Sequence, residues 1–241
     1  MAFADTIRTS NADLEDVADL LDNLNDVDIA NLDLGWALVN ESWTYASSST
    51  INVPTGAASR FQLGDKLKIN NTTTKYFYIT TIADTLLTVN GGSDYSVANT
   101  TISAVYVSRA NRPFGFPARH TFTQNLGGFS AVPTQSIATF FINQGWVNVD
   151  LYQNNTGTSN ATSFTMNAPV TAATVSAGAW GAITYGMSNN GSLLTVAGVA
   201  LIASAASTIT LYRDCGFTTW TAANAKAASF SGLRYPMAGI T

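Results

Sequence analysis

From Leu151 to Tyr212 the chain runs for 62 residues without one charged side chain. About a quarter of the residues in an ordinary soluble domain are charged, interspersed over the surface. A stretch like this one has three outlets. It can cross a membrane, lie against another subunit, or form strands whose exposed faces are wetted by hydroxyls and amides. Leu193–Leu211 tests the first: its 19 uncharged residues are long enough for a spanning helix. They are broken by Thr195, Ser204, Ser207, Thr208 and Thr210, are poor in Leu and Phe, and have no flanking Lys/Arg cluster. The pattern predicts two buried strands joined by a turn at Ala203–Ser207, with no membrane partner.

The rest of the composition points the same way. Only 11% of the 241 residues are charged, and 32 threonines, 21 serines and 21 asparagines supply polar surface instead. A net charge of −4 opposes nucleic-acid binding, which needs a basic face. One cysteine, Cys215, leaves no disulfide framework or Cys-based zinc site, and one histidine, His120, leaves no His cluster. No phosphate-binding G-x-x-x-x-G-K-[ST] loop or G-x-S-x-G nucleophile elbow occurs, so no cofactor and no enzyme activity are expected. The opening MAFADTIRTSNADLEDV lacks a cationic start followed by an apolar run, so no secretory signal is expected.

Charge also divides the chain. Residues 1–34 carry nine acids and one base, Arg8, whereas the remainder carries ten bases and six acids. The spacing predicts a helix from about Asn11 to Val27, with Ser10 as N-cap and Asp13, Glu15 and Asp16 where the helix dipole favours acids. Leu14, Val17, Leu20, Leu21, Leu24 and Val27 share one broad face. That face suits packing on the protein's own domain, a short bundle of copies, or a docking peg; two heptads are too few for an independent coiled coil. Residues 1–39 therefore read as an acidic helical anchoring segment.

The fold class expected is mainly β: after the short helix, a small β-barrel-like domain over 40–108, then an antiparallel β-sandwich or jelly-roll-like head domain over 121–241. In the first, apolar residues alternate in Trp43–Tyr45, Ile51–Val53, Leu67–Ile69, Tyr76–Tyr78 and Thr85–Val89. Turn signals lie at Pro54–Gly56, Gly64–Asp65, Asn70–Asn71 and Asn90–Gly92. In the second, strands are expected at Ser136–Ile142, Trp146–Tyr152, Thr162–Asn167, Trp180–Met187, Leu193–Ile202, Thr208–Arg213 and Ser229–Tyr235. Between them RANRPFGFPARH, residues 109–120, reads as a linker or a clasp built on Arg109, Arg112 and Arg119.

Few residues invite chemistry. Asp150 and Asp214 are the only carboxylates of the C-terminal half, and are expected at or near strand ends. A glycosidase would need two carboxyls flanking a sugar, but Asp150, the only charge between Arg119 and Arg213, is as well suited to pairing with an arginine. His120 reads as a surface or interdomain residue and Cys215 as a small buried hydrophobe. Of Trp36, Trp43, Trp146, Trp180 and Trp220, at most two are expected to be exposed.

A family likeness runs through residues 43–117. Trp43-Thr44-Tyr45, Asn52-Val53-Pro54, Gly64-Asp65-Lys66-Leu67-Lys68, Lys75-Tyr76-Phe77-Tyr78-Ile79, Gly91-Gly92-Ser93-Asp94-Tyr95 and Gly115-Phe116-Pro117, in that order, resemble a β-module of bacteriophage structural proteins. More loosely, the low charge and the closing GLRYPMAGIT resemble the heads of phage tail-fibre and decoration proteins. The resemblance implies a virion-exterior structural protein, assembled in the host cytoplasm and often trimeric. Its expected partners are other virion proteins, in tail or capsid, and host-surface carbohydrate. The expected role is a short trimeric tail fibre or receptor-binding spike, with a capsid decoration protein or head fibre as alternative and a carbohydrate-active enzyme as a remote third.

Overall fold

The computed structural model describes residues 34–176 and 178–240. The expected helix, with Leu14, Val17, Leu20, Leu21, Leu24 and Val27, lies outside the described residues. Within them the protein is mainly β and its paired strands are antiparallel.

The first sheet holds β1 (Ala37–Leu38), β2 (Thr44–Ser47), β3 (Thr50–Asn52), β4 (Lys66–Asn71), β5 (Thr73–Ile82), β6 (Leu86–Asn90) and β7 (Ser103–Ser108), in the order β1-β7-β4-β5-β6-β3-β2. A one-turn helix, α1 (Ala57–Arg60), follows the expected turn at Pro54–Gly56. The sheet begins ahead of residue 40, because β1 pairs with β7 through Ala37–Val107 and Leu38–Tyr106. The hairpin from β4 to β5 turns on Thr72, at φ 69°, one residue beyond the expected Asn70–Asn71.

The second sheet comprises β8 (His120–Thr121), β9 (Leu126–Gly127), β10 (Phe129–Ala131), β11 (Ser136–Asn143), β12 (Trp146–Gln153), β13 (Gly157–Ser159), β14 (Thr165–Asn167), β15 (Ala179–Asn189), β16 (Ser192–Leu193), β17 (Gly198–Ala203), β18 (Thr208–Tyr212) and β19 (Ala225–Pro236). Its path is β8-β11-β12-β19-β15-β17-β18-β14-β9, with β10, β13 and β16 at the sides. The uncharged Leu193–Leu211 stretch forms β17 and β18, which hairpin at 204–207, where the turn was expected. No helix among the described residues is long and apolar enough to cross a membrane.

Strand β5 explains how the two sheets join. Alternate side chains on a strand point to opposite faces. Phe77 and Ile79 enter the core of the first sheet, while Tyr78 belongs to the core of the second. Both faces of this strand are thus covered, which is why its sequence is a continuous aromatic and apolar run. Beyond β6, the Gly91–Tyr95 loop reaches β8: Ser93 N–H donates to the Thr121 carbonyl at 2.8 Å, and Thr121 N–H donates to Asp94 Oδ2 at 2.8 Å. Asn90 adds a second tie, its amide donating to the Pro169 carbonyl at 2.8 Å.

Candidate functional site

His120 sits at the centre of this joint, fully buried. Its ring lies 5.2 Å from Tyr78, 5.4 Å from Phe116, 5.7 Å from Phe140 and 5.8 Å from Tyr95. These rings come from β5, the 109–120 segment, β11 and the loop after β6. His120 Nε2 is 3.3 Å from the Tyr76 carbonyl, while Nδ1 has no hydrogen-bond partner. Burial pushes its pKa below the ordinary value, with the Tyr76 carbonyl and Asp94 opposing. Of the two readings of this histidine, the interdomain one describes its place. It is a neutral packing residue holding two sheets together.

The 109–120 segment is clamped at both ends. Arg109 donates to the Arg60 carbonyl at 3.0 Å and pairs with the buried Asp65 at 3.4 Å, on the first sheet. Arg119 pairs with Asp150 on β12 and lies 4.9 Å over the Phe141 ring, on the second. Arg112, between them, is exposed and makes no hydrogen bond or ion pair to the described residues.

Both carboxylates of the C-terminal half accept hydrogen bonds from the backbone of their own surroundings. Asp150 lies inside β12 rather than at a strand end, at a two-against-one bulge where β19 inserts an extra residue. There the Asp150 carboxylate accepts from the Ser231 hydroxyl and the Gly232 N–H. Asp214 follows the end of β18 and caps its own turn, accepting from Gly216 N–H at 2.9 Å and Thr218 N–H at 3.1 Å. The Thr218 hydroxyl first, then the Thr218 and Gly216 N–H groups, hold its carboxyl below the usual range. The same turn places Cys215 in solvent, correcting its expected burial: backbone bonds to Asp214, not packing, shape residues 214–218. Trp36, Trp43 and Trp220 are core residues, and Trp146 and Trp180 are half-buried.

The feature with no internal explanation is the outer face of the second sheet. Strand parity sends Ala138, Phe140, Ile142, Val147, Val149 and Leu151 into the core. It sends Ile137 and Tyr152 outward, directly opposite one another across β11 and β12. On β15, Ile183 and Tyr185 point outward too; Ile183 faces Val199, and Tyr185 faces the small Ser229 of β19. Ile137, Tyr152, Ile183 and Tyr185 are 57%, 50%, 57% and 49% exposed. Leu193 on β16, Val196 in the loop before β17 and Phe217 in the Asp214 turn are also exposed. These apolar side chains share the outer side with the Asp150–Arg119 pair and with Arg234, and exposed apolar residues gathered on one sheet face are characteristic of interaction surfaces. In the sequence, the charge-free run contains Tyr152, Ile183, Tyr185, Leu193 and Val196 and is their one signal; Ile137 and Phe217 lie outside it.

Comparison with family models, with curated proteins and with solved structures finds no match for this chain.

Proposed function

We propose that this is an exterior structural protein of a bacteriophage virion, a short trimeric tail fibre or receptor-binding spike that contacts the host surface. The outer face of the second sheet carries the reading. Its exposed Ile137, Tyr152, Ile183 and Tyr185 lie in or next to the charge-free segment, and subunit interfaces exclude charge and admit tyrosine. In this assembly the first sheet, with β1, is a small barrel-like module, the second a sandwich-like head, and the residues ahead of residue 34 the anchor. The resemblance of residues 43–117 to a phage β-module supports the same placement.

Two measurements test it. Light scattering on the full chain is expected to give three times the 25.4 kDa chain mass; a monomer across micromolar concentrations overturns the trimer. Labelling the protein on intact particles is expected to place it on the tail. Density on the shell lattice would instead make it a decoration protein.

A further inference from the structure

Between the two sheets the 109–120 segment roofs a cleft of about 330 Å³ that the proposed trimer contact does not use. Lys66, Arg112 and Arg119 line it, with Phe116, Tyr78 and Asn143, and no acid does. Three bases around one cavity are notable in a chain with eleven bases and an acidic balance. The volume is at the small end of ligand pockets, the size of one sugar unit with its substituent.

The hydrogen-bonding capacity of these bases is unfilled. Lys66 is 4% exposed, yet of its three ammonium donors one has an acceptor, the Ala110 carbonyl at 2.9 Å. Its charge also lies 5.9 Å from the Phe116 ring centroid. The nearest carboxylates are already engaged: Asp65 with Gln62 N–H and Arg109, Asp150 with Ser231, Gly232 and Arg119. Pairing with Asp150 fixes the Arg119 guanidinium at the cleft wall and leaves other N–H donors of its five free to bind. Arg112, exposed and unbonded, stands at the rim. An anion entering here would meet a paired donor at the wall, a buried donor and an exposed one.

We propose that this cleft binds an anionic sugar unit, bearing a carboxylate or a phosphate, through Arg112, Lys66 and Arg119. The Phe116 ring offers an apolar wall for a sugar C–H face, and the Asn143 amide a partner for a hydroxyl. The proposal deepens the host-contact reading and rests on it only for the source of the ligand, an acidic surface polysaccharide.

The test is a calorimetric titration of the full chain with three probes of equal length: a uronic acid trisaccharide, a glycerol-phosphate trimer and a glucose trisaccharide. One or both anionic probes are expected to bind at least about tenfold more tightly than glucose, weakening with added salt. Binding by the uronic acid alone identifies a carboxylate polymer as the source, and by the glycerol-phosphate alone a phosphodiester polymer. Arg112→Glu, which breaks no hydrogen bond or ion pair to the described residues, is expected to lower anionic affinity about tenfold or more at an unchanged melting temperature. Equal binding of glucose, no binding of either anionic probe, or an unaltered affinity in Arg112→Glu overturns the proposal. Anionic binding in solution by a protein found off the tail would defeat the host-contact reading alone. Tail-borne protein whose particles adsorb equally well with Arg112→Glu would defeat the cleft alone.

Discussion

Asp150 and Gly232 face each other across β12 and β19, the Gly232 N–H donating to Asp150 Oδ1 at 2.7 Å. Gly232 has φ 75°, the left-handed conformation a bulge of this type requires. Ser231 Oγ donates to the same oxygen at 2.7 Å, and Arg119 pairs with the other. One carboxylate therefore stabilises a bulge and clamps the 109–120 segment. Asp150→Ala is expected to cost about 2–4 kcal/mol by urea denaturation, and Asp150→Asn, which keeps one acceptor, roughly half of that. Particle incorporation by Asp150→Asn is expected to persist. Unchanged stability in Asp150→Ala would show that the bulge holds without it.

Stability is expected to fall on mild acidification, through His120. Its folded pKa is depressed, so the unfolded chain binds the proton more readily than the folded one. The contribution is complete above the ordinary value of 6.5 and is lost as pH falls through it toward the folded value. The geometry gives the cause. With Nε2–H given to Tyr76, a second proton would sit on Nδ1, which has no acceptor. Asp94 favours the charged form, but burial outweighs it. Urea midpoints at about pH 7.5 and about pH 5.5 should differ more in wild type than in His120→Phe, since other carboxylates drift alike in both. Equal slopes would remove His120 as the cause.

Gly92 and Gly191 offer a matched pair for measuring the joint. Both have positive φ, 65° and 79°. A Cβ on Gly191 meets nothing within 4 Å, whereas one on Gly92 would run into the Thr121 carbonyl of β8. Gly191→Ala is expected to cost about 1 kcal/mol from backbone strain alone. Gly92→Ala adds a backbone collision between the sheets and should cost roughly 3 kcal/mol or more. It should also raise protease cleavage within 109–119. Equal costs would mean that the 91–95 loop yields freely.

These positions show what was legible in the sequence. Period-two alternation located β11 and β12 to within a residue, since Val147, Val149 and Leu151 of β12 alternate with Asn148 and Asp150, and the turn residues at 144–145 separate the two strands. Strands β8 to β10 are two or three residues long and hold no period to detect. Strand β7 carries Ala104 at φ 46° beside a register shift against β4, which obscures its alternation. Leu193–Ile202 read as one strand because its breaks fall on small uncharged residues; it divides into β16, a loop and β17. Tyr76, Tyr78, Tyr95 and Phe116 were each visible as parts of motifs. That they meet at His120 is a tertiary fact, set by pairings far apart in sequence. The outer face had the same difficulty: alternation says which residues share a side, not whether another layer covers it.

If that face joins subunits, one buried-core-neutral change should separate them. Ile183→Glu places a charge on the outer side of β15 without touching Thr184 or Phe230 behind it. The expected result is a monomer of about the chain mass of 25.4 kDa with an unchanged circular dichroism spectrum. Leu193→Glu, on the exposed side strand β16, should have the smaller effect. A trimer that survives Ile183→Glu would move the contact to another surface.

Residues 34–38 are tied into the joint between the two sheets. Trp36 is 1% exposed, its ring 6.2 Å from Tyr76 and 6.1 Å from Phe116, and its Nε1–H donates to the Phe114 carbonyl at 2.9 Å. Leu34 adds a backbone bond, its carbonyl accepting from Phe114 N–H at 2.9 Å. The charge division falls at residue 34 and the expected β pattern starts at residue 40; between them, Leu34, Trp36 and β1 hold the 109–120 segment against the first sheet. Removing 1–33 should leave a folded protein melting within about 2 °C of the full chain. Removing 1–39 also strips Trp36 and β1, and should cost about 3–5 kcal/mol, as loss of a buried tryptophan does. The two truncations separate anchoring from folding. If residues 1–33 attach the protein to the virion, the shorter deletion yields a stable protein that no longer joins particles, and its full occupancy on particles would place the anchor elsewhere.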